Sequence, residues 1–243
     1  KILDKNFVNE FLLNLTSDEI IRYYRVDEDT EGLIDVPNVL PDDIVIPNKG
    51  IYGVFRDGEM HDKPMIFGTT RDEDKLFMFM NDTFVKRPLN FLSWISNDLG
   101  FIVKPKDRNY YDIYAKYMAQ AWKHGAVVLP SRFMSNNKTS KVYAYRFDWD
   151  EQPSYFGIEL PVLLGAAHAM EIPFVFKNAS LLGESDDYIS SIMYDEDNRQ
   201  VDLALSNEIG EYWVNFAHDG NPNNFPYDKN TKWLNWDSKN DKE

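Results

Sequence analysis

The stretch KPMIFGTTRDEDKLFMFM, residues 63–80, contains the two kinds of element from which the rest of the chain is built. Its first part, residues 63–68, is a short apolar run that ends in glycine, which is typical of a buried strand. From about residue 72 to residue 80 the pattern favours a helix. A strand that leads directly into a helix is the repeating unit of α/β proteins.

Segments farther along the chain repeat this alternation of strand and helix. Residues 141–149 alternate between two faces and predict a strand. Residues 105–134 carry aromatic and alanine residues at helical spacing, and they predict one long helix, or two with a break near Gly125 and Pro130. The interleaved strands and helices predict an α/β fold with a central, mostly parallel sheet flanked by helices.

The segments toward the two ends give three further predictions. Thr16 and Glu19 form a capping box, which predicts a helix that begins after Leu15. Residues 33–60 mix prolines and glycines with apolar residues, and they predict loop and short strand without a helix. Residues 206–219 predict a helix capped by Ser206 and ended by Gly220. Its predicted buried stripe consists of Ile209, Trp213 and Phe216.

The composition excludes several classes of protein. The 243 residues include 26 Lys and Arg and 40 Asp and Glu, so the formal charge is 26 − 40 = −14. This acidity argues against a nucleic-acid surface, which needs cationic side chains to neutralise phosphates. The 43% hydrophobic content argues against disorder. No apolar run reaches the length of a membrane span, and the start of the sequence has no signal-peptide pattern. Cysteine is absent, which excludes disulfides, thiolate zinc ligands and thiol nucleophiles.

Three acidic stretches, residues 27–31, 184–187 and 195–197, interrupt the chain. Solvated loops are the simplest interpretation, because such charge runs repel one another and stay in water. Calcium ligation is the alternative, but it needs oxygens at alternating positions, a turn glycine and a closing glutamate. None of the three stretches has that pattern.

Two polar residues stand out as candidates for catalysis. His168 lies among small apolar residues in GAAHAME, residues 165–171. It is either a hydrogen-bonded core histidine or a general base. The other three histidines, His61, His124 and His218, lie in a polar turn or near predicted helix ends. Glu73 follows a predicted strand, where catalytic groups of α/β sheets gather. Its alternative role is that of an acid in a first helical turn.

Ser185 is the candidate nucleophile that the sequence argues against. GESDD, residues 183–187, begins like the nucleophile elbow Gly-x-Ser-x-Gly, but Asp187 replaces its final glycine. Ser185 also comes after His168, whereas α/β hydrolases have the order nucleophile, acid, histidine.

Three segments together resemble the type B carboxylesterase family, which includes the cholinesterases. PMIFGTTRDEDKLF, residues 64–77, is similar to the segment that carries the family's triad acid. GAAHAMEIPFVF, residues 165–176, is similar to the histidine segment. LSNEIGEYWVNFAHDGNPN, residues 205–223, resembles a late family helix and its exit. Their order and spacing agree with the family over nearly the whole chain. Residues 142–149 resemble the strand before the histidine loop.

The resemblance implies roles for two residues and the absence of a third. Glu73 corresponds to the triad acid and His168 to the general base. Members of the family are longer, and their nucleophile elbow and oxyanion loop lie in the N-terminal half. Residues 1–243 are therefore expected to be the C-terminal half of one α/β-hydrolase domain, with that N-terminal half as covalent or nicked partner. We expect the chain alone to be inactive, and no metal or organic cofactor is implied.

The departures from the family pattern bear on the substrate. In this family a glycine usually follows the acid, but this chain has Asp74 there, which places a second carboxyl beside Glu73. A glycine often follows the histidine, but this chain has Ala169 there. Leu76, Phe77 and Met80 correspond to residues that line the substrate gorge. Choline-selective relatives have an aromatic residue where this chain has Leu76, so the expected substrate is a small-molecule carboxylic ester with an apolar acyl or alkyl group rather than a choline ester.

Two questions stay open at this stage. The alternative function is a non-catalytic, cholinesterase-like protein-binding domain, although both Glu73 and His168 are retained. The absence of cysteine favours a bacterial protein over a secreted animal esterase, because the animal members usually carry disulfides. A cytoplasmic, periplasmic or secreted location is compatible with these observations.

Overall fold

The computed structural model describes residues 4–23, 40–88, 102–155, 157–178, 193–227 and 231–237. The chain divides into two compact units, residues 1–40 and residues 41–243. The prediction that residues 1–243 form part of a single domain stays a prediction. Within the described ranges, no helix has both the length and the apolar character needed to cross a bilayer.

The first unit contains two helices, α1 (Lys5–Asn14) and α2 (Ser17–Tyr23). The predicted capping box of α2 is confirmed. The Glu19 carboxylate accepts from the Thr16 backbone N–H at 2.9 Å, and Thr16 Oγ1 accepts from the Glu19 N–H at 3.3 Å. The sequence pattern gave no prediction of α1. Its start is capped by Asp4, whose side chain accepts from the Asn6 N–H at 3.0 Å.

The second unit alternates helices and strands. In chain order its elements are α3 (Gly50–Arg56), β1 (Met65–Thr70), α4 (Lys75–Met80), β2 (Val85–Lys86), β3 (Lys104–Pro105), α5 (Arg108–Lys123), α6 (Leu129–Asn137), β4 (Val142–Phe147), β5 (Ser154–Tyr155), β6 (Ile158–Glu159), α7 (Leu160–Leu163), α8 (Ile172–Val175) and α9 (Arg199–Asp219). A π-helical turn, His124–Val128, joins α5 to α6. A departure from regular α-helix near Gly125 is therefore confirmed, whereas Pro130 makes no break, because it lies in the first turn of α6.

The two predicted strands form the centre of the fold. β1 and β4 pair in parallel, from Met65 opposite Val142 to Thr70 opposite Phe147. Helices α4, α5 and α6 lie in the connection between the two strands, as a parallel pair requires. Gly68 is opposite Tyr145, and a Cβ at Gly68 would come within 1.8 Å of the Tyr145 ring. Glycine is therefore the residue that lets the tyrosine ring lie across the neighbouring strand.

Two predictions about helices were wrong, one about a segment expected to contain no helix and one about where a helix begins. Residues 33–60 were expected to be free of helix, but α3 forms there and packs against α6. The Asn137 amide donates to the carbonyl of Arg56 at 3.2 Å, so a tertiary contact supports the end of α3 despite its glycines. Ser206 was expected to cap a helix, but α9 already begins at Arg199. Ser206 is buried inside α9, and its hydroxyl donates to the Phe174 carbonyl at 2.9 Å.

The end of α9 follows the prediction. Gly220 has a φ of +65°, and its N–H donates to the Phe216 carbonyl at 2.8 Å, as expected of a helix-ending glycine. The predicted stripe Ile209, Trp213 and Phe216 is half-buried. The fully buried positions of α9 are Asp202, Ser206, Gly210 and Tyr212.

Candidate active site

The carboxylate of Glu73 lies in the turn between β1 and α4. The turn spans residues 71–74, so Glu73 precedes the helix rather than lying in its first turn. Glu73 is buried, with 4% of its surface exposed. Its Oε1 accepts from the Thr70 backbone N–H at 2.7 Å and from the Thr69 hydroxyl at 3.0 Å. The last two residues of β1 therefore fix the orientation of the carboxylate.

His168 lies on the loop between α7 and α8, and two alanines anchor this loop in the core. Ala166 belongs to a buried cluster with Phe147, Trp149 and Phe174. Ala167 belongs to a second buried cluster, with Leu160, Leu164 and Met193. Both alanines are fully buried. Small residues are required here because larger side chains would overpack two core clusters at once.

Backbone hydrogen bonds join the His168 loop to the Glu73 turn. The Asp72 N–H donates to the Ala166 carbonyl at 2.9 Å, and the Ala166 N–H donates to the Asp72 side chain at 3.2 Å. The His168 N–H donates to the Glu73 carbonyl at 3.3 Å. The two side chains are therefore held by bonds between their own segments of backbone.

The side chains of Glu73 and His168 meet directly. Glu73 Oε2 and His168 Nδ1 are 2.7 Å apart. A deprotonated carboxylate only accepts, so we assign the proton to Nδ1, which leaves Nε2 as an acceptor. The His168 side chain is 42% exposed, whereas that of Glu73 is 5% exposed. Among the described residues, no side chain forms a hydrogen bond with Nε2.

The pair shifts the pKa of both members. Burial would raise the pKa of Glu73, but the hydrogen bonds from His168, the Thr70 N–H and the Thr69 hydroxyl outweigh burial and lower it. The hydrogen bond to Glu73 raises the pKa of His168, although burial opposes the shift. The negative charges of Glu73, Glu171 and Asp74 add to that increase.

Two further carboxyl groups lie close to the pair. Burial raises the pKa of Asp74, and the neighbouring charge of Glu73 raises it further. Repulsion between the two adjacent carboxylates therefore raises the pKa of Asp74, whereas the hydrogen bonds that Glu73 accepts lower the pKa of Glu73. Glu171 Oε1 accepts from the Tyr145 hydroxyl at 3.3 Å. This contact connects the His168 loop to the central strand β4.

Two aromatic rings lie against the imidazole. The Phe77 ring centroid is 5.6 Å from that of His168, and the Trp122 centroid is 5.2 Å from it. Trp122, in the last turn of α5, was not singled out by the sequence analysis. Its helix was predicted, but helical periodicity alone does not show which face of α5 meets the His168 loop.

The other two predicted gorge residues lie differently. Leu76 packs against the buried cluster of Leu160, Leu164, Ala167 and Met193. Met80 is half-buried at the end of α4. The ring of Phe77 therefore lies beside the imidazole, whereas Leu76 packs against a core cluster.

The remaining candidates do not join this site. His61, His124 and His218 are exposed. Ser185, together with the acidic stretches 27–31 and 184–187, lies outside the described residues. In the part of the chain that the structure describes, no three His, Asp or Glu side chains are arranged to hold a metal ion.

A cavity of about 420 Å³ lies elsewhere, between the end of β4 and α9. Its lining includes Trp149 and Asp202 but neither Glu73 nor His168. The Trp149 indole N–H donates to Asp202 Oδ1 at 2.7 Å. Because this contact joins two core elements, we interpret Asp202 as a structural residue.

Comparisons with known proteins agree with this architecture. The para-nitrobenzyl esterase of Bacillus subtilis is 29% identical over 209 residues, which cover 82% of this chain and 35% of that protein. The human cocaine esterase is 33% identical over 96 residues, which cover 40% of this chain and 15% of that protein. The chain thus spans about a third or less of the length of these curated relatives.

A solved structure of a PNB esterase matches with a TM-score of 0.56 and 20% identity, over 96% of this chain and 44% of that structure. At this identity the likeness supports the α/β-hydrolase fold alone. The family model described as "Carboxylesterase family" matches residues 3–243. The chain therefore belongs to the carboxylesterase family.

Proposed function

We propose that this chain supplies the acid and the general base of a serine carboxylic-ester hydrolase. The observation that carries the proposal is the contact of 2.7 Å between Glu73 Oε2 and His168 Nδ1, on a half-exposed ring whose Nε2 accepts from no side chain of the described residues. A buried acid, a histidine held through Nδ1 and an available Nε2 are the requirements of a triad base.

In this mechanism the proton moves at Nε2. His168 Nε2 takes the proton of a serine hydroxyl while the serine oxygen attacks the ester carbonyl. The resulting imidazolium returns that proton to the oxygen of the leaving alcohol. Water then repeats the same steps on the acyl-enzyme and releases the acid. Glu73 keeps the proton on Nδ1 and stabilises the imidazolium throughout.

We infer that the nucleophile and the oxyanion donors come from polypeptide outside these 243 residues. In support, none of the serines within the described ranges forms a hydrogen bond with His168 Nε2. The Ser206 and Ser135 hydroxyls donate to backbone carbonyls instead. Removing the nucleophile leaves at most the small residual catalysis of an incomplete triad. The isolated chain is therefore proposed to have no esterase turnover.

The proposed substrate is a small-molecule carboxylic ester of apolar character. The apolar Phe77 and Trp122 rings beside the imidazole support it, as do relatives whose names describe esterases of small molecules. Triad chemistry requires neither a metal nor an organic cofactor, and none is proposed.

The test is covalent labelling of the complete polypeptide that contains these residues with a serine-reactive phosphonate. We expect one labelled serine within a Gly-x-Ser-x-Gly sequence that lies outside residues 1–243. The His168→Ala variant should lose labelling by several orders of magnitude, because the serine then has no base. The matched control is His218→Ala, which removes an exposed histidine of α9 and should label like the unaltered protein.

Two outcomes would contradict the proposal. Recovery of the label on Ser185 would make this chain the source of its own nucleophile. Absence of labelling in folded complete protein would favour the non-catalytic, protein-binding alternative.

A further inference from the structure

Trp122 differs from a packed core tryptophan. It is 37% exposed although it lies against the His168 and Phe77 rings. Trp149, by comparison, is 7% exposed and donates its indole N–H to Asp202. Large apolar rings normally bury most of their area. An exposed indole beside a candidate catalytic imidazole is therefore a surface on which another apolar group can pack.

The geometry of the three rings is specific. Phe77 and Trp122 are stacked, with centroids 6.2 Å apart and planes inclined by 20°. Trp122 is inclined by 48° to the imidazole. The Phe77–Trp122 pair thus presents nearly parallel faces next to the ring that exchanges the proton.

The backbone beside Trp122 departs from regular helix. α5 ends at Lys123, and the π-helical turn His124–Val128 follows directly. Such turns are rare, and they are often found at functional sites. The turn is in contact with β1, and Val127 within it is fully buried. The end of α5 is thereby fixed against the strand that leads to Glu73, so Trp122 is held in place rather than left on a free helix end.

We propose that Trp122, with Phe77, forms the subsite for the alcohol part of the ester, and that this subsite prefers a planar aromatic alcohol. The inference rests on the proposed function, since it assigns part of the substrate to that same site. It concerns Trp122 as a specificity-determining residue and gives it no role in proton transfer.

The assignment to the alcohol follows from the proton path. Nε2 returns its proton to the leaving oxygen, so that oxygen must come within hydrogen-bonding distance of the imidazole. The group attached to this oxygen then lies beside the rings that pack on His168, which among the described residues are those of Trp122 and Phe77. A flat ring extends the existing stack over its whole face, whereas a saturated or tetrahedral group touches it with part of its surface.

The experiment measures binding of the alcohol by NMR to the complete polypeptide that contains these residues, and it requires no turnover. The probes are benzyl alcohol and cyclohexylmethanol, which match in size and differ in planarity. Benzyl alcohol should bind about three to ten times more tightly, the range expected of one aromatic stack. Intermolecular NOEs should place its hydroxymethyl group near the His168 imidazole and its ring near the Trp122 indole.

Three variants distinguish the contribution of the Trp122 indole to binding from effects of a substitution on the fold. Trp122→Leu should abolish the preference for benzyl alcohol, and Trp122→Phe should retain most of it. Tyr117→Leu, which changes an exposed aromatic residue on the same helix, is the control and should leave the preference intact. Unaltered amide spectra outside α5 would show that each variant is folded.

Three results would overturn the inference: equal binding of the two alcohols, a preference that survives Trp122→Leu, or NOEs that place the ring away from Trp122. Tighter, Trp122-dependent binding of choline than of benzyl alcohol would replace the aromatic subsite with a cation site. Because this binding needs no nucleophile, its failure is distinct from a failure of phosphonate labelling, which tests the proposed function.

Discussion

Glu73 Oε2 and His168 Nδ1 lie 2.7 Å apart, although 95 residues separate them along the chain. The short distance depends on the backbone on each side. The Asp72 N–H and the Ala166 carbonyl, and the His168 N–H and the Glu73 carbonyl, are joined in the same short ladder. The contact is thus fixed by two loops that are bonded to each other, and it does not depend on two long, flexible side chains.

The first prediction concerns the titration of His168. Replacing Glu73 by glutamine removes the charged acceptor that contributes most to the raised pKa of the imidazole. The pKa of His168 should therefore fall toward or below its ordinary value of 6.5. NMR of the histidine Hε1 protons across pH measures this directly. Asp74→Asn is the matched control and should lower the pKa less, because Asp74 makes the smallest of the contributions.

The second prediction is the pH dependence of stability that the same pair produces. A raised pKa means that the protonated imidazole stabilises the fold below 6.5, and that this contribution is lost as pH rises through the folded pKa. The lowered pKa of Glu73 gives a contribution that is present above 4.5 and is lost as pH falls through its folded pKa. The pair thus stabilises the fold most between these two limits.

The experiment compares how much one substitution lowers the free energy of unfolding at two pH values. Glu73→Gln should lower the free energy of urea unfolding more at pH ~6 than at pH ~9, by less than about 1 kcal/mol because water screens the half-exposed imidazole. Glu10→Gln, which alters an exposed glutamate in α1, should show no such difference. A larger effect at the higher pH would contradict the assigned direction of the His168 shift.

The third prediction concerns Gly68. An added Cβ would meet ring atoms of Tyr145 at 1.8 Å. That ring is constrained by Trp213, with centroids 5.0 Å apart, and by the bond to Glu171. Gly68→Ala should therefore lower the free energy of unfolding by about 1–3 kcal/mol, the usual cost of overpacking. Urea unfolding monitored by tryptophan fluorescence measures the change.

Two comparisons isolate this clash. The ring is absent from the Tyr145→Ala variant, so adding Gly68→Ala to it should lower the free energy of unfolding only slightly. In a double-mutant cycle, the coupling free energy between the two positions should then be close to the full effect of Gly68→Ala alone. Gly125→Ala is the control for a milder contact, since its Cβ would meet a single atom, the Tyr52 hydroxyl oxygen, at 3.2 Å instead of ring atoms at 1.8 Å. Equal costs at the two glycines would show that the Tyr145 ring is not the cause.

The fourth prediction concerns Ala169, which has a φ of +67°. Left-handed backbone costs an L-residue about 1–2 kcal/mol, and glycine adopts it freely. Ala169→Gly should stabilise the fold by up to about 1 kcal/mol, because the larger entropy of glycine in the unfolded chain offsets part of the gain. Ala121→Gly, at an exposed site in α5, should instead destabilise by about 0.5–1 kcal/mol. A destabilising Ala169→Gly would mean that the backbone is unstrained there.

Much of the local structure could be predicted from sequence patterns. β1 and β4 were visible because apolar runs and alternation have the period of a strand, and the break between α5 and α6 was visible at Gly125. The capping box of α2 is likewise a local pattern of two residues. The patterns failed where a distant contact decides the outcome, as at α3, whose end is supported by Asn137, and at Ser206, which is bonded to Phe174.

By itself, the sequence determined the alternation of β1, α4, α5, β4 and α9 and, through resemblance to a family, singled out Glu73 and His168. Tertiary structure alone decided that the two side chains share one hydrogen bond, that Leu76 turns into the core, and that Trp122 lies against the imidazole. The physical reason is the distance along the chain over which each kind of interaction acts. Periodicity and capping depend on neighbours within a few residues, whereas these contacts join segments that only the packing of separate elements brings together.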